Sequence, residues 1–274
     1  TNNNNYIFKE YNINIALIED IAKLNIYLNN YLNINKIIFN KYNNPLTKIN
    51  SNYYILILQS NKINIDLATI SKFSSISLPK INTLERNNWQ ILWSNMIDYY
   101  ETQIGENSKK YPLIRESFDY FIGLAENAIS YLTYTKKETP KTIYDNKVLS
   151  HNNLYHSLED PLNIIIDHKS RDLAEYIKIS FFNNNKNIFQ ELDNYFYYQK
   201  YSDYGIRVLF SRILYPSFYF KIYNDIIQGI IKEKELNKII NNIDKYEIYI
   251  YKIYIYLKKY SNLPPVEWLK KTKN

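Results

Sequence analysis

Along the first sixty residues the apolar positions change period several times. Tyr6–Tyr11 (YIFKEY) reads as a short strand. Ile18–Leu32 then places Ile18, Ile21, Ala22, Leu24, Leu28 and Leu32 near helical spacing, which predicts an amphipathic helix. Two apolar, β-branched and aromatic runs follow, Lys36–Tyr42 and Tyr53–Gln59, and both read as strands. Asn43-Asn44-Pro45 and Asn50-Ser51-Asn52 supply turn chemistry around them. The expected order is strand, helix, strand, turn, strand.

From residue 65 the pattern becomes helical. Thr83–Gly105 predicts a long helix with Trp89, Trp93, Met96, Ile97 and Tyr100 on one face. Ile114–Tyr134 predicts a second, with Phe118, Phe121, Ile122, Ala125, Ile129 and Leu132 facing inward. A polar linker with Pro140, Lys136–Asn146, leads into a β-like interval, Val148–Asp167. Arg171–Phe182, Ile188–Tyr198, Gly205–Ile231 and Glu235–Tyr260 read as helices, the third kinked or split by Pro216. The alternating YEIYIYKIYIYL within Ile243–Tyr260 fits a strand by period; the helical pattern before it favours a helix buried on two sides. The expected class is α+β: a small strand-bearing part over residues 1–60, the polar connector Ser60–Asn64, and a large helical part over 61–274.

Composition removes several chemistries. The 274 residues include no cysteine, which excludes disulfides, zinc–thiolate sites, iron–sulfur clusters and a thiol nucleophile. The glycines, Gly105, Gly123, Gly205 and Gly229, are too scattered for a phosphate-cradling glycine loop. The net charge of +7 is dispersed, its densest stretch being Lys270–Lys273, and AT-rich coding accounts for the Lys-, Asn-, Ile- and Tyr-heavy palette. Nucleic acid is therefore not an expected partner. Thirty tyrosines against twelve phenylalanines suit half-buried positions with the hydroxyl at the water edge, or a surface used in recognition or cross-linking. No run approaches the ~20 apolar residues of a membrane span, and no signal peptide is visible. The chain starts at Thr1 rather than Met, which suggests a piece whose start lies upstream.

All three histidines, His151, His156 and His168, lie in the irregular interval near Glu159, Asp160, Asp167 and Asp172. Their spacing matches no H-E-x-x-H metal motif, and Ser150 lacks the glycines of a nucleophile elbow. Phosphoryl transfer is a third reading. It needs a carboxylate to orient the attacking hydroxyl, metal ligands and a lysine on the phosphates. Asp167 at the end of Ile164–Ile166 is placed as a metal ligand, Lys9 as the phosphate lysine and Glu19 as its partner.

Three segments carry a resemblance: ESFDYFIGLAENAISYL (Glu116–Leu132), NIIIDHKSRDLAEYIK (Asn163–Lys178) and YGIRVLFSRILYPSFYF (Tyr204–Phe220). The chain resembles the aminoglycoside-phosphotransferase-like kinase superfamily, and within it the spore-coat-associated CotS/YutH group. The resemblance implies a two-lobe, protein-kinase-like fold with a small N-lobe, here incomplete because the strands of a nucleotide-covering loop would precede Tyr6. It also implies roles. His151-Asn152-Asn153 stands where active relatives have H-G-D, so Asn153 replaces the catalytic Asp. Leu158 replaces a metal-binding Asn, Asp167 matches the metal-binding Asp, and Asp172 matches an Asp that steadies the loop and caps the helix. An amide cannot serve as general base, and leucine cannot hold a metal.

These departures imply a pseudokinase acting in spore-coat assembly through contacts with other coat proteins, in the coat or the mother-cell cytoplasm. No cofactor is then expected. The alternative is an ATP- and Mg-dependent small-molecule phosphotransferase with a degenerate loop; a third reading is a sensor that binds nucleotide without turnover. Other roles are open to the same residues. Asp172 suits a cap of the Arg171–Phe182 helix or an acceptor for backbone amides, His151 a brace on a backbone carbonyl, and His168 a partner for Asp172 or Glu175.

Overall fold

The computed structural model describes residues 5–12, 14–107 and 109–270. Thr1 and all but the first residue of the basic run Lys270–Lys273 lie outside the described residues. The chain forms two compact units, residues 1–87 with 146–172, and residues 88–145 with 173–274. The sequence expectation instead divides the chain near residue 60. The structural grouping has a plain cause: Phe73, Ile81 and Leu84 share one buried core with the strands and with Leu149, Ile164 and Ile166.

In the first unit, β1 (Tyr6–Glu10), α1 (Ile18–Leu28), β2 (Lys36–Ile38), β3 (Leu46–Ile49), β4 (Asn52–Leu58) and α2 (Leu67–Ser74) follow in order. β4 is the centre of an antiparallel sheet. β1 runs along one edge, with Tyr6 opposite Leu58 and Glu10 opposite Tyr54. β2 and β3 lie in line along the other, with Ile38 opposite Leu56 and Leu46 opposite Ile55. β3 was not expected, because LTKI is too short between two asparagine turns to establish a period. The turns themselves are where the sequence places them: Asn43 and Asn50 take left-handed φ values of 58° and 56°, which asparagine tolerates better than most side chains. Ile18, Ile21, Leu24 and Leu28 of α1 pack in one core with Ile37, Ile55 and Ile57. Asn25 fixes the return of the chain: its amide donates to the Asn35 carbonyl at 2.8 Å and its oxygen accepts from the Ile37 amide at 2.9 Å. The unit is completed by β5 (Lys147–His151) and β6 (Ile164–His168), an antiparallel hairpin.

The second unit is helical: α3 (Trp89–Asn107), α4 (Pro112–Glu138), most of α5 (Ser170–Phe182), α6 (Ile188–Tyr198), α7 (Asp203–Leu214), α8 (Ser217–Ile227), α9 (Asn237–Ile240), α10 (Ile243–Leu257) and α11 (Glu267–Lys270). The helix expected from Thr83 starts only at Trp89. A turn at Leu84 and a parallel bridge of Glu85 with Ile166 hold this segment against β6, with Ile166 N donating to Leu84 O at 3.0 Å and Arg86 N donating to Ile166 O at 2.8 Å. Met96 also departs from expectation: it is exposed, whereas Ile97 and Tyr100 are buried. Pro216 splits Gly205–Ile231 into α7 and α8. The alternating Ile–Tyr stretch is a helix, burying Tyr246, Ile250, Ile253, Tyr254, Tyr256 and Leu257.

Aromatic rings fill this unit. Phe121 stacks on Tyr219 with centroids 3.9 Å apart, Tyr100 stacks on Phe220 at 4.5 Å, and Arg212 lies 4.1 Å over Trp89. Burial pushes the Tyr100 phenol up to about 12 and also raises Tyr120, Tyr131, Tyr215, Tyr219, Tyr249 and Tyr256. A phenol with a raised folded-state pKa holds its proton more tightly in the native chain. Its stabilising contribution is therefore complete below the ordinary value of 10.0 and is lost as pH rises through the folded value. Thermal midpoints should stay level up to about pH 10.0 and fall increasingly above it. Exposed tyrosines such as Tyr42 and Tyr197 ionise first, and the remaining phenolate absorbance should appear together with the loss of ellipticity; complete ionisation in a fully folded chain would contradict the assignment.

Candidate active-site loop

The site is built on the β5–β6 hairpin of the first unit. Val148 pairs with Asp167 and His151 with Ile164, so residues 152–163 form the loop between the strands. Ile164, Ile165 and Ile166 are all buried, and this β-branched run carries Asp167 into the interior. Asp160 caps the short 3₁₀ turn Pro161–Asn163, its Oδ1 accepting from Leu162 N at 3.0 Å. Asn163 then braces the loop from within. Its Oδ1 accepts from Asn153 N at 3.0 Å, and its Nδ2 donates to the carbonyls of Asn153 and Ser157 at 3.0 and 3.1 Å.

Asn153, at the place of the catalytic Asp, is half-buried, and its side-chain oxygen accepts from Tyr155 N at 2.9 Å in an Asx turn. Leu158, at the place of the metal-binding Asn, is buried. His151 is buried too. Its Nδ1 lies 2.7 Å from Asp172 Oδ2, its backbone N–H donates to Asp172 Oδ1 at 3.0 Å, and its ring packs edge-on against Phe73. The expected brace on a backbone carbonyl is thus replaced by a carboxylate partner. With Asp172 occupied in this way, His168 Nδ1 meets Ser170 Oγ at 2.8 Å.

Asp167 is 0% exposed. Its Oδ1 accepts from His168 N at 2.6 Å, and its Oδ2 pairs with Arg171 Nη1 at 2.8 Å. Arg171 uses its whole guanidinium: Nε donates to His151 O at 2.8 Å and Nη2 to Asn152 O at 2.9 Å. One side chain therefore ties the buried carboxylate of β6 to the first two residues of the H-N-N loop. Lys9 joins the site from β1, its Nζ 3.3 Å from Asp160 Oδ2. His156 Nε2 lies 3.5 Å from that same oxygen and is largely exposed.

His151, Asp167 and Asp172 are thus tied together directly or through Arg171, Asn153 lies in the adjoining loop, and Lys9 reaches the same loop. Glu19 is not joined to it. The carboxylate that Lys9 meets is Asp160, presented by the cap of the 3₁₀ turn, and Glu19 instead lines a separate concavity with Ile18, Leu46, Lys48 and Tyr53. Arg171 and Asn163 went unrecognised in the sequence, and Asp160, noted among the acids of the interval, was given no role. The available signal for Arg171 was its place four residues past Asp167 and one before Asp172. Among the described residues no three His, Asp or Glu side chains converge as a metal-ion site.

The family profile described as "Spore coat putative kinase YutH" matches residues 1–253. The endospore coat-associated protein YutH of Bacillus subtilis (strain 168) is 28% identical over 210 residues. That alignment covers 67% of this chain and 61% of the relative, so the chain spans less than two thirds of that protein's length. Among solved structures, an aminoglycoside phosphotransferase from Alicyclobacillus acidocaldarius subsp. acidocaldarius DSM 446 superposes with a TM-score of 0.61 at 10% identity, over 93% of this chain and 87% of that one. A spectinomycin phosphotransferase, APH(9)-Ia, solved with ADP and spectinomycin, gives 0.52 at 13% identity, over 100% and 87%. At such identities these two establish the fold alone, which is kinase-like of the aminoglycoside-phosphotransferase type. Fold and profile together give one assignment: the chain belongs to the YutH spore coat kinase family.

Proposed function

We propose that this chain is a pseudokinase: a coat-associated, kinase-fold protein that acts in coat assembly through protein–protein contacts and not by phosphoryl transfer. The observation that carries the reading is the state of Asp167. A metal-binding carboxylate must offer oxygen to the ion, and this one is fully buried, with one oxygen on a backbone amide and the other on Arg171. The surrounding positions compound the loss. Asn153 has no proton-accepting carboxylate and spends its amide oxygen on a turn, and Leu158 offers no ligand. Lys9 is already matched by the Asp160 carboxylate. The residues present do not fit a magnesium–nucleotide complex, so no transfer step is derived for them.

The relative's description as endospore coat-associated supports the same location for this chain, with other coat proteins as its partners. Among the described residues no helix is long and apolar enough to cross a membrane. Calorimetric titration with ATP, with and without Mg²⁺, tests the proposal on this chain and on any longer natural form that contains it. No binding heat is expected in either case. Mg²⁺-dependent heat that disappears in Asp167→Asn would overturn it.

A further inference from the structure

Each nitrogen of the Arg171 guanidinium meets a different oxygen. Nη1 lies 2.8 Å from Asp167 Oδ2, Nε 2.8 Å from His151 O and Nη2 2.9 Å from Asn152 O. One carboxylate and two carbonyls make a donor set suited to a hard cation. Here they surround a cation that belongs to the chain. The Asp167 side chain is wholly buried and that of Arg171 is only 20% exposed, so the group is largely shielded from water.

The spacing fits a guanidinium and not a metal ion. Magnesium holds its oxygens at about 2.0–2.1 Å and calcium at about 2.3–2.6 Å, all from one centre. A guanidinium spreads its charge over a plane, and each oxygen approaches a separate N–H. The three oxygens therefore lie beyond the nitrogens, farther from the middle of the group than a metal–oxygen bond reaches. Arginine also keeps its proton in proteins, so this counter-charge is permanent. We infer that Arg171 is a resident cation. It takes over the electrostatic task that the resemblance assigns to a metal ion at Asp167, and it makes the three oxygens a guanidinium site. The inference deepens the pseudokinase reading and rests on it. A loop tied down by the chain's own cation presents its exposed Tyr155 and His156 in one arrangement, whatever the supply of Mg²⁺ or ATP.

Chemical rescue tests this. Arg171→Ala keeps the three oxygens and removes the cation, so its urea midpoint should fall below that of the parent. Millimolar methylguanidinium should restore at least half of the drop, because a ligand that binds only the folded chain stabilises it. Methylammonium has the same charge without the planar fork and should restore little, as should Mg²⁺ and Ca²⁺. Adding Asp167→Asn should abolish the rescue. Arg171→Lys should lose midpoint much as alanine does, since one ammonium cannot span three oxygens, and this variant keeps the test decisive where alanine fails to fold. The parent's own midpoint should be the same in Mg²⁺, Ca²⁺ or a chelator. Rescue by Mg²⁺ or Ca²⁺, no rescue by methylguanidinium, or a lysine variant as stable as the parent would each overturn the inference. So would an alanine variant as stable as the parent, because Asp167 would then be answered by another cation, such as the buried Lys169. Asp167-dependent binding of Mg²⁺ and ATP by the parent would overturn the pseudokinase reading and leave the rescue results standing, so the two failures are distinguishable.

Discussion

Replacing Arg171 by alanine is expected to destabilise the first unit by on the order of 3 kcal/mol, the scale for breaking a buried ion pair from one side. Three contacts go together: the pair with Asp167 and the donations to the His151 and Asn152 carbonyls. The carboxylate left behind is fully buried, so water does not replace the guanidinium without opening the hairpin. The cost should therefore depend on the charge at 167. In the Arg171→Ala background, Asp167→Asn should cost much less than it does alone, with a coupling energy of about 0.5–3 kcal/mol. Denaturant midpoints of the four proteins in the cycle measure this. Additive effects would mean that Arg171 holds the loop only through the two carbonyls and that Asp167 is satisfied without it.

This clamp marks where sequence reading stops. Asp167 was legible because a run of β-branched residues ending in a carboxylate predicts a buried strand that delivers it. Asp172 was legible from its place at the start of a helix, and Pro216 from its missing N–H. What Arg171 does was not legible, because an arginine in a first helical turn reads as a solvated side chain. Only the fold brings the turn back over its own loop. The partner of Lys9 was hidden for a related reason: Asp160 stands 151 residues away, and Glu19 was the nearer carboxylate in a plausible element. Met96 shows a local limit. It adjoins Ile97 in sequence, yet one step of about 100° around the helix turns it outward.

Lys178→Met is expected to destabilise the second unit by on the order of 3 kcal/mol, for a reason that starts with a proline. The carbonyl of Arg212 would ordinarily accept the amide hydrogen of residue 216, and Pro216 has none. Lys178, 1% exposed on α5, fills that gap: its Nζ donates to Arg212 O and Tyr215 O, each at 3.1 Å, and to Ser217 Oγ at 2.6 Å. Glu175, one turn earlier at 2.7 Å, balances the charge. The ammonium thus completes the end of α7 and holds the elbow to α8, which makes a buried lysine tolerable there. Methionine keeps the volume of the stem and removes every donor. If the missing amide is the cause, Pro216→Ala should be less harmful in the Lys178→Met background than in the parent, because position 216 then supplies a hydrogen to Arg212 O. Chemical denaturation of the two single variants and the double separates the cases. Equal effects of Pro216→Ala in both backgrounds would place the worth of Lys178 in its ion pair with Glu175 instead.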